Sequence, residues 1–522
     1  MKTMHAVLEA VGRQPTFASV DTTWIRVERE AFAPLVHVLV HEHNLPLSLL
    51  FGTDDRRERK GFGIHVVLSL DEAHEWLVVS TEVPESDPAY PSVTSSVMAA
   101  HWYERLLSDM FGVTPAGHPD PRRLVHHENV PLGTHPLRKD FAWDAKLSHD
   151  DVPYPMHHVA GEGVYEIPVG PIHAGIIEPG HFRFNVAGER IITLEGKLFF
   201  THKGVEKLLE GRTPDEAMPF IERVSDDMSP SHALAFCLAV EKLCDAEVPQ
   251  QARLVRTLLH ELERLTMHIH DLSNMAGMGT GYSVAAAQGF RVKEDLVRLS
   301  ARLLGNRFWR GVIVPGGVAR TLLSEERVDV EKTVASVCAE MHALLKVFLV
   351  SDGLHERLET TGVLPLETAK AYGALGLPAR ASGLDRDVRR DHPYAAYLAP
   401  ELLPRVVTQK AGDVYARYRM RVEELQTTEQ VIQKLLPMLS ADGFLRMDCQ
   451  PRDGMALGAV ESWRGEILTI VRIKDGKIDR CFPRDPSFCN WALFGELGPG
   501  NIVPDFPLCN KSLNLSYSGT DL

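Results

Sequence analysis

Glu222-Arg223-Val224-Ser225-Asp226-Asp227-Met228-Ser229-Pro230-Ser231-His232 is a charged loop that feeds an apolar helix. Ser229 suits a helix cap, Pro230 suits the first helical position, and Ala233 to Cys244 carries the apolar run. Asp226 and Asp227 stand just ahead of that helix, where its dipole favours carboxylates. From the residues alone the stretch is either a plain capped core helix or one polar wall of a site.

Outward from this stretch the hydrophobic period changes. Downstream, from Pro230 to about Val350, it is helical: Leu254, Leu258, Leu262, Leu265, Ile269 and Leu272 recur at threes and fours and predict one buried stripe. Glu261, Arg264 and His268 share that helix, and a buried Glu-Arg brace is the plain account of them. Gly277-Met278-Gly279-Thr280-Gly281 has the look of a nucleotide loop, but it follows a helix and lacks both the GxGxxG spacing and a Gly-Lys-Ser/Thr. Upstream, Phe182 to Val186 alternates, and Gly188-Glu189 marks a hairpin turn. Further back, Gly63 to Leu70 and Trp76 to Thr81 read as strands. The fold class expected is α+β, with a small N-terminal α+β domain over 1–145, a proline-bearing linker over 146–162, and a mainly helical domain with a small β-hairpin region over 163–522. His37, His41 and His43 cluster in sequence, but no carboxylate or thiolate at matching spacing completes a metal face, and ordinary histidines are the plainer reading.

Composition narrows the partners. The chain has 522 residues, 44% hydrophobic and 24% charged, with a net charge of -14. That balance argues against nucleic acid or an anionic lipid surface, both of which need basic patches. No apolar run reaches the roughly 18 to 20 residues of a membrane span, and Ala343 to Val350 is broken by Lys346, so membrane association is expected only through partners. The N-terminus has no basic-then-apolar signal pattern. Seven cysteines, with no CxxC spacing, suggest reduced thiols and no self-contained zinc or iron-sulfur site.

Two sets of motifs carry a resemblance. His101-Trp102-Tyr103-Glu104-Arg105, Gly117-His118-Pro119-Asp120-Pro121-Arg122-Arg123 and Pro136-Leu137-Arg138-Lys139-Asp140-Phe141 resemble, in order, the signature of the 30 kDa subunit of complex I. The opening stretch, Pro168 to His173, His202 to Lys207, Glu261 with Arg264 and His268, Gly316-Gly317-Val318, Arg380 to Gly383 with Asp387, Gly412-Asp413-Val414 and Arg464-Gly465-Glu466 resemble the large subunit of membrane-bound nickel-iron hydrogenases and its relative, the 49 kDa subunit of complex I. Fusion of the two resembles large subunits of the group 4, formate hydrogenlyase type. The hydrogenase pattern is Arg-Val-Cys-Gly-x-Cys-x-x-x-His with a terminal Asp-Pro-Cys-x-x-Cys-Thr-Asp-Arg. Here the cysteine positions fall on Ser225 and Met228, and on Ser516 and Gly519 in the tail Ser512 to Leu522.

The resemblance implies a peripheral subunit of a complex I-like redox complex on the cytoplasmic face of the membrane. It would dock against an iron-sulfur small subunit and membrane antiporter-like and proton-channel subunits. Electrons would pass from the partner's iron-sulfur clusters toward a quinone or similar acceptor, coupled to ion movement. NADH:quinone-type activity and NAD binding would belong to the assembly, and this chain would bind no cofactor or metal of its own. A nickel-iron centre needs thiolates, and none of the four positions supplies one. The Tyr and His of the quinone branch fall on Asp226 and Ile177, so that pattern is missing too. What the resemblance leaves is a polar cavity: Arg223, Asp226, Asp227, His232 and Glu206 as candidate catalytic groups, lined further by His173, Ile177, Ser225, Met228, Arg380, Asp387, Ser516 and Gly519. Clustered carboxylates in a partly dry site are candidate proton carriers; alternatively Arg223 and Arg380 simply neutralise them. A non-catalytic coupling scaffold is the rival reading. The tail is expected to be buried beside the opening stretch.

Overall fold

The computed structural model describes residues 3–174, 177–441 and 443–522. It begins with a five-stranded sheet in which Thr22–Arg26 runs parallel to Glu75–Pro84, and Glu75–Pro84, Gly61–Leu70 and Leu47–Asp54 follow as antiparallel neighbours. Leu47–Asp54 and Gly61–Leu70 are buried along their whole length. Strands covered on both faces take continuous Val, Ile and Leu runs, because neither face meets water. The helices Arg29–His41 and His101–Phe111 supply part of that cover.

Between Ala116 and Val164 the chain forms no helix or strand. Charges in this segment are paired within the chain. Lys139 reaches Glu210 at 2.7 Å, Asp140 meets Arg56 at 2.6 Å, and Arg122 joins Asp120 to Glu195. The hairpin expectation is met by His181–Ala187 and Arg190–Lys197, with Val164–Val169 on the open edge of His181–Ala187.

The remainder is helical, built around Ser229–Cys244 and Gln250–Asn274, with a three-stranded sheet of Gly454–Glu461, Glu466–Lys474 and Lys477–Arg484 behind the first helix. Gly458 lets helix and sheet touch: a Cβ there would lie 2.0 Å from the Ala235 carbonyl oxygen. The apolar stripe of Gln250–Asn274 is buried as its period predicts. Its polar side is buried too: Arg256, His260, Glu261, Glu263, Arg264, His268 and Asp271 are all at most 3% exposed. A one-stripe pattern predicts a surface helix; here the polar face meets buried partners, Arg256 with Glu241, His268 with Glu424 and Asp271 with Arg421.

One expectation changes, and two plain readings stand. Cys244 and Cys449 form a disulfide, across 205 residues of sequence, where free thiols were expected. Sequence spacing cannot pair cysteines that only the fold brings within reach, here with Cα atoms 5.3 Å apart. The Gly277 to Gly281 segment continues the long helix as a turn over Met275–Gly279, and Gly277 packs on Ala286, whose Cβ would lie 2.2 Å from an added Cβ. His37 and His41 sit 4.7 Å apart ring to ring, and His41 Nε2 lies 2.8 Å from the Ser96 carbonyl oxygen. Among the described residues no single helix is long and apolar enough to cross a membrane; Ser324–Phe348 and Asp352–Leu358 qualify only together, bent by 83°.

Candidate functional site

The loop before Ser229–Cys244 closes as a 3-10 turn over Asp226–Met228. Ser229 is the first helical residue and not the cap. Its hydroxyl donates backward to the carbonyl oxygens of Glu222 (2.6 Å) and Asp226 (3.0 Å), which ties the loop to the helix. Ser225 and Met228 are consequently buried at the helix start.

The tail folds onto this turn. Phe506–Leu513 is a helix that ends at Asn514 with φ 44°, a left-handed residue that turns the chain back, and Ser516 then caps Tyr517–Asp521 by accepting from the Gly519 amide at 2.9 Å. The Ser516 hydroxyl lies 2.9 Å from that of Ser225, and Ser225 donates to Asp227 Oδ1 at 2.8 Å. Gly519 fits because it has no side chain: a Cβ would lie 2.4 Å from Asp485 Oδ2 and 3.1 Å from Ser516 Oγ. The tail is thus buried beside the opening stretch, as its resemblance implies, and Asp521 anchors its end by accepting from the Phe199 amide (2.8 Å) and from the amide and hydroxyl of Thr201 (2.9 and 2.8 Å).

His232 and Asp227 each acquire a partner that sequence reasoning missed. His232 Nε2 is 3.0 Å from Asp485 Oδ2, both side chains fully buried. Burial pushes the Asp485 carboxyl up, but His232 and Arg464 outweigh it and the net lies below the ordinary value. Asp227 receives both ends of the Arg464 guanidinium, at 2.7 and 2.6 Å, a bidentate pair. Here too burial raises the carboxyl, while Arg464 and the Ser225 hydroxyl bring it below its usual range. Arg464 and Asp485 lie more than 230 residues from the turn they serve, and only Arg464-Gly465-Glu466 stood out in the sequence.

Other expected members sit elsewhere. The Arg223 side chain is exposed and donates to the Pro219 carbonyl oxygen at 2.7 Å, outside the pocket. Asp226 is 61% exposed and pairs with Arg310, so the two aspartates are neutralised by Arg464 and Arg310 and not by Arg223 and Arg380. Arg380 and Asp387 belong to a separate buried charge network: Arg380 meets Glu424 at 2.7 Å and Glu461 at 2.6 Å, and Arg389 bridges Asp387 (2.7 Å) to Glu261 (3.2 Å), which faces Arg264 at 3.5 Å. The Glu-Arg brace on the long helix is part of it. Glu206 is buried against Arg480, its carboxyl raised by burial. His173 does join the tail, with Nε2 3.2 Å from the Tyr517 hydroxyl, and Ile177 is 38% exposed. Two further groups near the pocket went unnoticed in the sequence. Burial pushes Asp521 up to about 6. It pushes Glu263, bonded to Ser231 next to His232, up to about 8.

Comparison with known proteins agrees with this architecture. Residues 25–146 match the family described as respiratory-chain NADH dehydrogenase, 30 Kd subunit. Residues 280–450 match the corresponding 49 Kd subunit, and residues 203–277 match the nickel-dependent hydrogenases. Hydrogenase-4 component G of Escherichia coli is 34% identical over 95% of this chain and 87% of its own length. Formate hydrogenlyase subunit 5 of the same organism is 33% identical over 96% and 89%. A chain in the structure of the membrane-bound sulfane sulfur reductase, described as an archaeal respiratory membrane complex, superposes with a TM-score of 0.65 at 26% identity, covering 70% of this chain and 100% of that one. The chain belongs to the family of fused 30 kDa/49 kDa complex I-like large subunits related to group 4 hydrogenases.

Proposed function

We propose that this chain is the peripheral large subunit of a membrane-bound, complex I-related redox complex and that it works without a nickel-iron centre, its 1–145 and 163–522 portions forming two units joined by 146–162. Electrons from a partner's iron-sulfur clusters would reach a quinone or similar small acceptor beside the Ser225–Ser516 pocket, coupled to ion movement. Support for the setting comes from the family and from the respiratory membrane complex to which one relative belongs.

The observation that carries the reading is the 2.9 Å contact between the Ser225 and Ser516 hydroxyls. The fold brings together the two halves of what would be a four-thiolate set, but the positions offer two hydroxyls, a thioether and a hydrogen atom. A nickel-iron site requires anionic sulfur to hold soft metals and set their electronics, and this donor set does not fit it. The chemistry left to the chain is acid-base and positional. Asp227 is held ionised by Arg464, which makes it a fixed charge and not a proton carrier. Asp521 at about 6 and Glu263 at about 8 bracket neutral pH and are better suited to hold and release protons near the pocket.

Metal analysis of the purified complex should find no stoichiometric nickel; about one nickel per chain would overturn the reading. Reduction of a soluble quinone by the intact complex should proceed, and should fall sharply in Asp227→Asn while the subunits still co-purify. A complex that assembles normally and turns over no acceptor would favour the scaffold reading, which the internal pairing of Asp227, His232 and Asp485 also fits.

A further inference from the structure

A cavity of about 200 Å³ lies where the 121–128 and 152–155 segments meet. Its walls include Arg122, Arg123, His126, His127, Glu128 and Tyr154. At about 30 Å³ per water molecule the space exceeds several waters, and is large enough for a small polyatomic ligand.

The charges around it are unevenly matched. Arg122 is balanced by Asp120 and Glu195, and the buried Lys197 by Glu128 at 3.1 Å. Arg123 contacts only carbonyl oxygens, those of His127 (3.2 Å) and Val130 (2.8 Å), and among the described residues no carboxylate pairs with it. Asp109, packed behind the same segment, directs one oxygen to the amides of Leu124, Val125 and His126. His126 is 7% exposed, and among the described residues its Nε2 has no hydrogen-bond partner. Burial, against the pull of Asp109 and with the push of Arg123, holds that imidazole at about 4, so at neutral pH it is an uncharged ring, and in the tautomer protonated at Nε2 that nitrogen is a donor. Tyr154 contributes an aromatic wall, with Lys197 Nζ 3.8 Å and the Arg122 guanidinium carbon 5.4 Å from its ring centre.

A buried unpaired polar nitrogen costs stability unless something satisfies it, and a guanidinium without a counter-charge is a ready partner for an oxyanion. We propose that this junction cavity binds a small oxyanion, of carboxylate to phosphate size, through Arg123 and His126. Its occupancy would tie the 117–130 segment, the 150–155 segment and the strand bearing Lys197 to one another, outside the pocket at the tail.

Calorimetric titration of the full chain with inorganic phosphate and, separately, with acetate, against a chloride control of equal ionic strength, tests this. Saturable binding of either anion is expected. Arg123→Gln should weaken it at least about tenfold, since it removes the charge-assisted bonds. Glu128→Gln, which removes the one carboxylate among the cavity-lining residues from a half-exposed position, should tighten it severalfold. Because Arg123 also holds the His127 to Val130 turn, Glu128→Gln provides the test if Arg123→Gln does not fold. Heats no different from chloride, or equal affinities in wild type and Glu128→Gln, would overturn the proposal.

Discussion

Two buried polar regions, one centred on the Gln250–Asn274 helix and one at the start of Ser229–Cys244, are built on opposite rules. The network of Glu261, Arg264, Arg380, Asp387, Arg389, Glu424 and Glu461 is made of full charges, each side chain at most about 3% exposed and each matched by another. The tail pocket is made of small neutral groups, Ser225, Ser516 and Gly519, with its charges, Asp227 and Asp485, held at the edge by Arg464 and His232. Buried charges are strongly destabilising when one partner is lost, whereas neutral hydroxyls cost little to change. The network therefore holds the scaffold, and the pocket is where chemistry can alter without unfolding it.

The contrast is broken or sharpened by four measurements. The largest effect is expected from removing residues 512–522, which deletes the buried Leu513, Leu515 and Tyr517 at roughly 1.5 to 3 kcal/mol each, comparable to a domain's whole margin. No folded product should be recovered; a soluble truncation would mean the tail does not hold the pocket closed.

Next, Arg380→Met leaves Glu424 and Glu461 without their shared cation, and thermal denaturation should register a loss of about 3 to 5 kcal/mol. A loss below about 1 kcal/mol would place the network among replaceable ion pairs.

Two buried glutamates, Glu424 of the network and Glu263 beside the pocket, should give pH dependences of opposite sign. Burial raises Glu424, but Arg380 and His268 outweigh it and hold it well below its ordinary 4.5, so its contribution is present above that value and is lost as pH falls. Glu263 is raised to about 8, so its contribution is full below about 4.5 and is lost progressively as pH rises from there through 8, by about 5 kcal/mol at most. Glu263→Gln should flatten the alkaline limb of a stability profile and leave the acid limb alone. An unchanged alkaline limb would show that Glu263 ionises freely.

Ser225→Ala should have the smallest effect, about 0.5 to 1.5 kcal/mol for its bonds to Ser516 and Asp227, with assembly intact.

The outline of the fold was legible because period and length carry it. Gly63 to Leu70 and Trp76 to Thr81 became Gly61–Leu70 and Glu75–Pro84, and Phe182 to Val186 became one arm of a hairpin. Motif order also placed Ser225 and Ser516 in one site, although they are far apart in sequence. The partners of those groups were not legible. Asp485 could be read only as the cap of Pro486–Asn490, and nothing in its neighbourhood announces His232.

Sequence by itself determined the strand and helix segments, the apolar stripe of Gln250–Asn274, the absence of sulfur at three of the four thiolate positions, with only the Met228 thioether at the fourth, and the fusion order of the two portions. Tertiary structure alone decided that Arg464 and not Arg223 holds Asp227, that Arg380 and Asp387 lie in a separate network, that Cys244 meets Cys449, and that burial raises the Asp521 and Glu263 carboxyls toward the neutral range. The reason is that local propensity depends on neighbours within a few residues. Charge pairing, desolvation and disulfide reach depend on distances that exist only after the chain has folded.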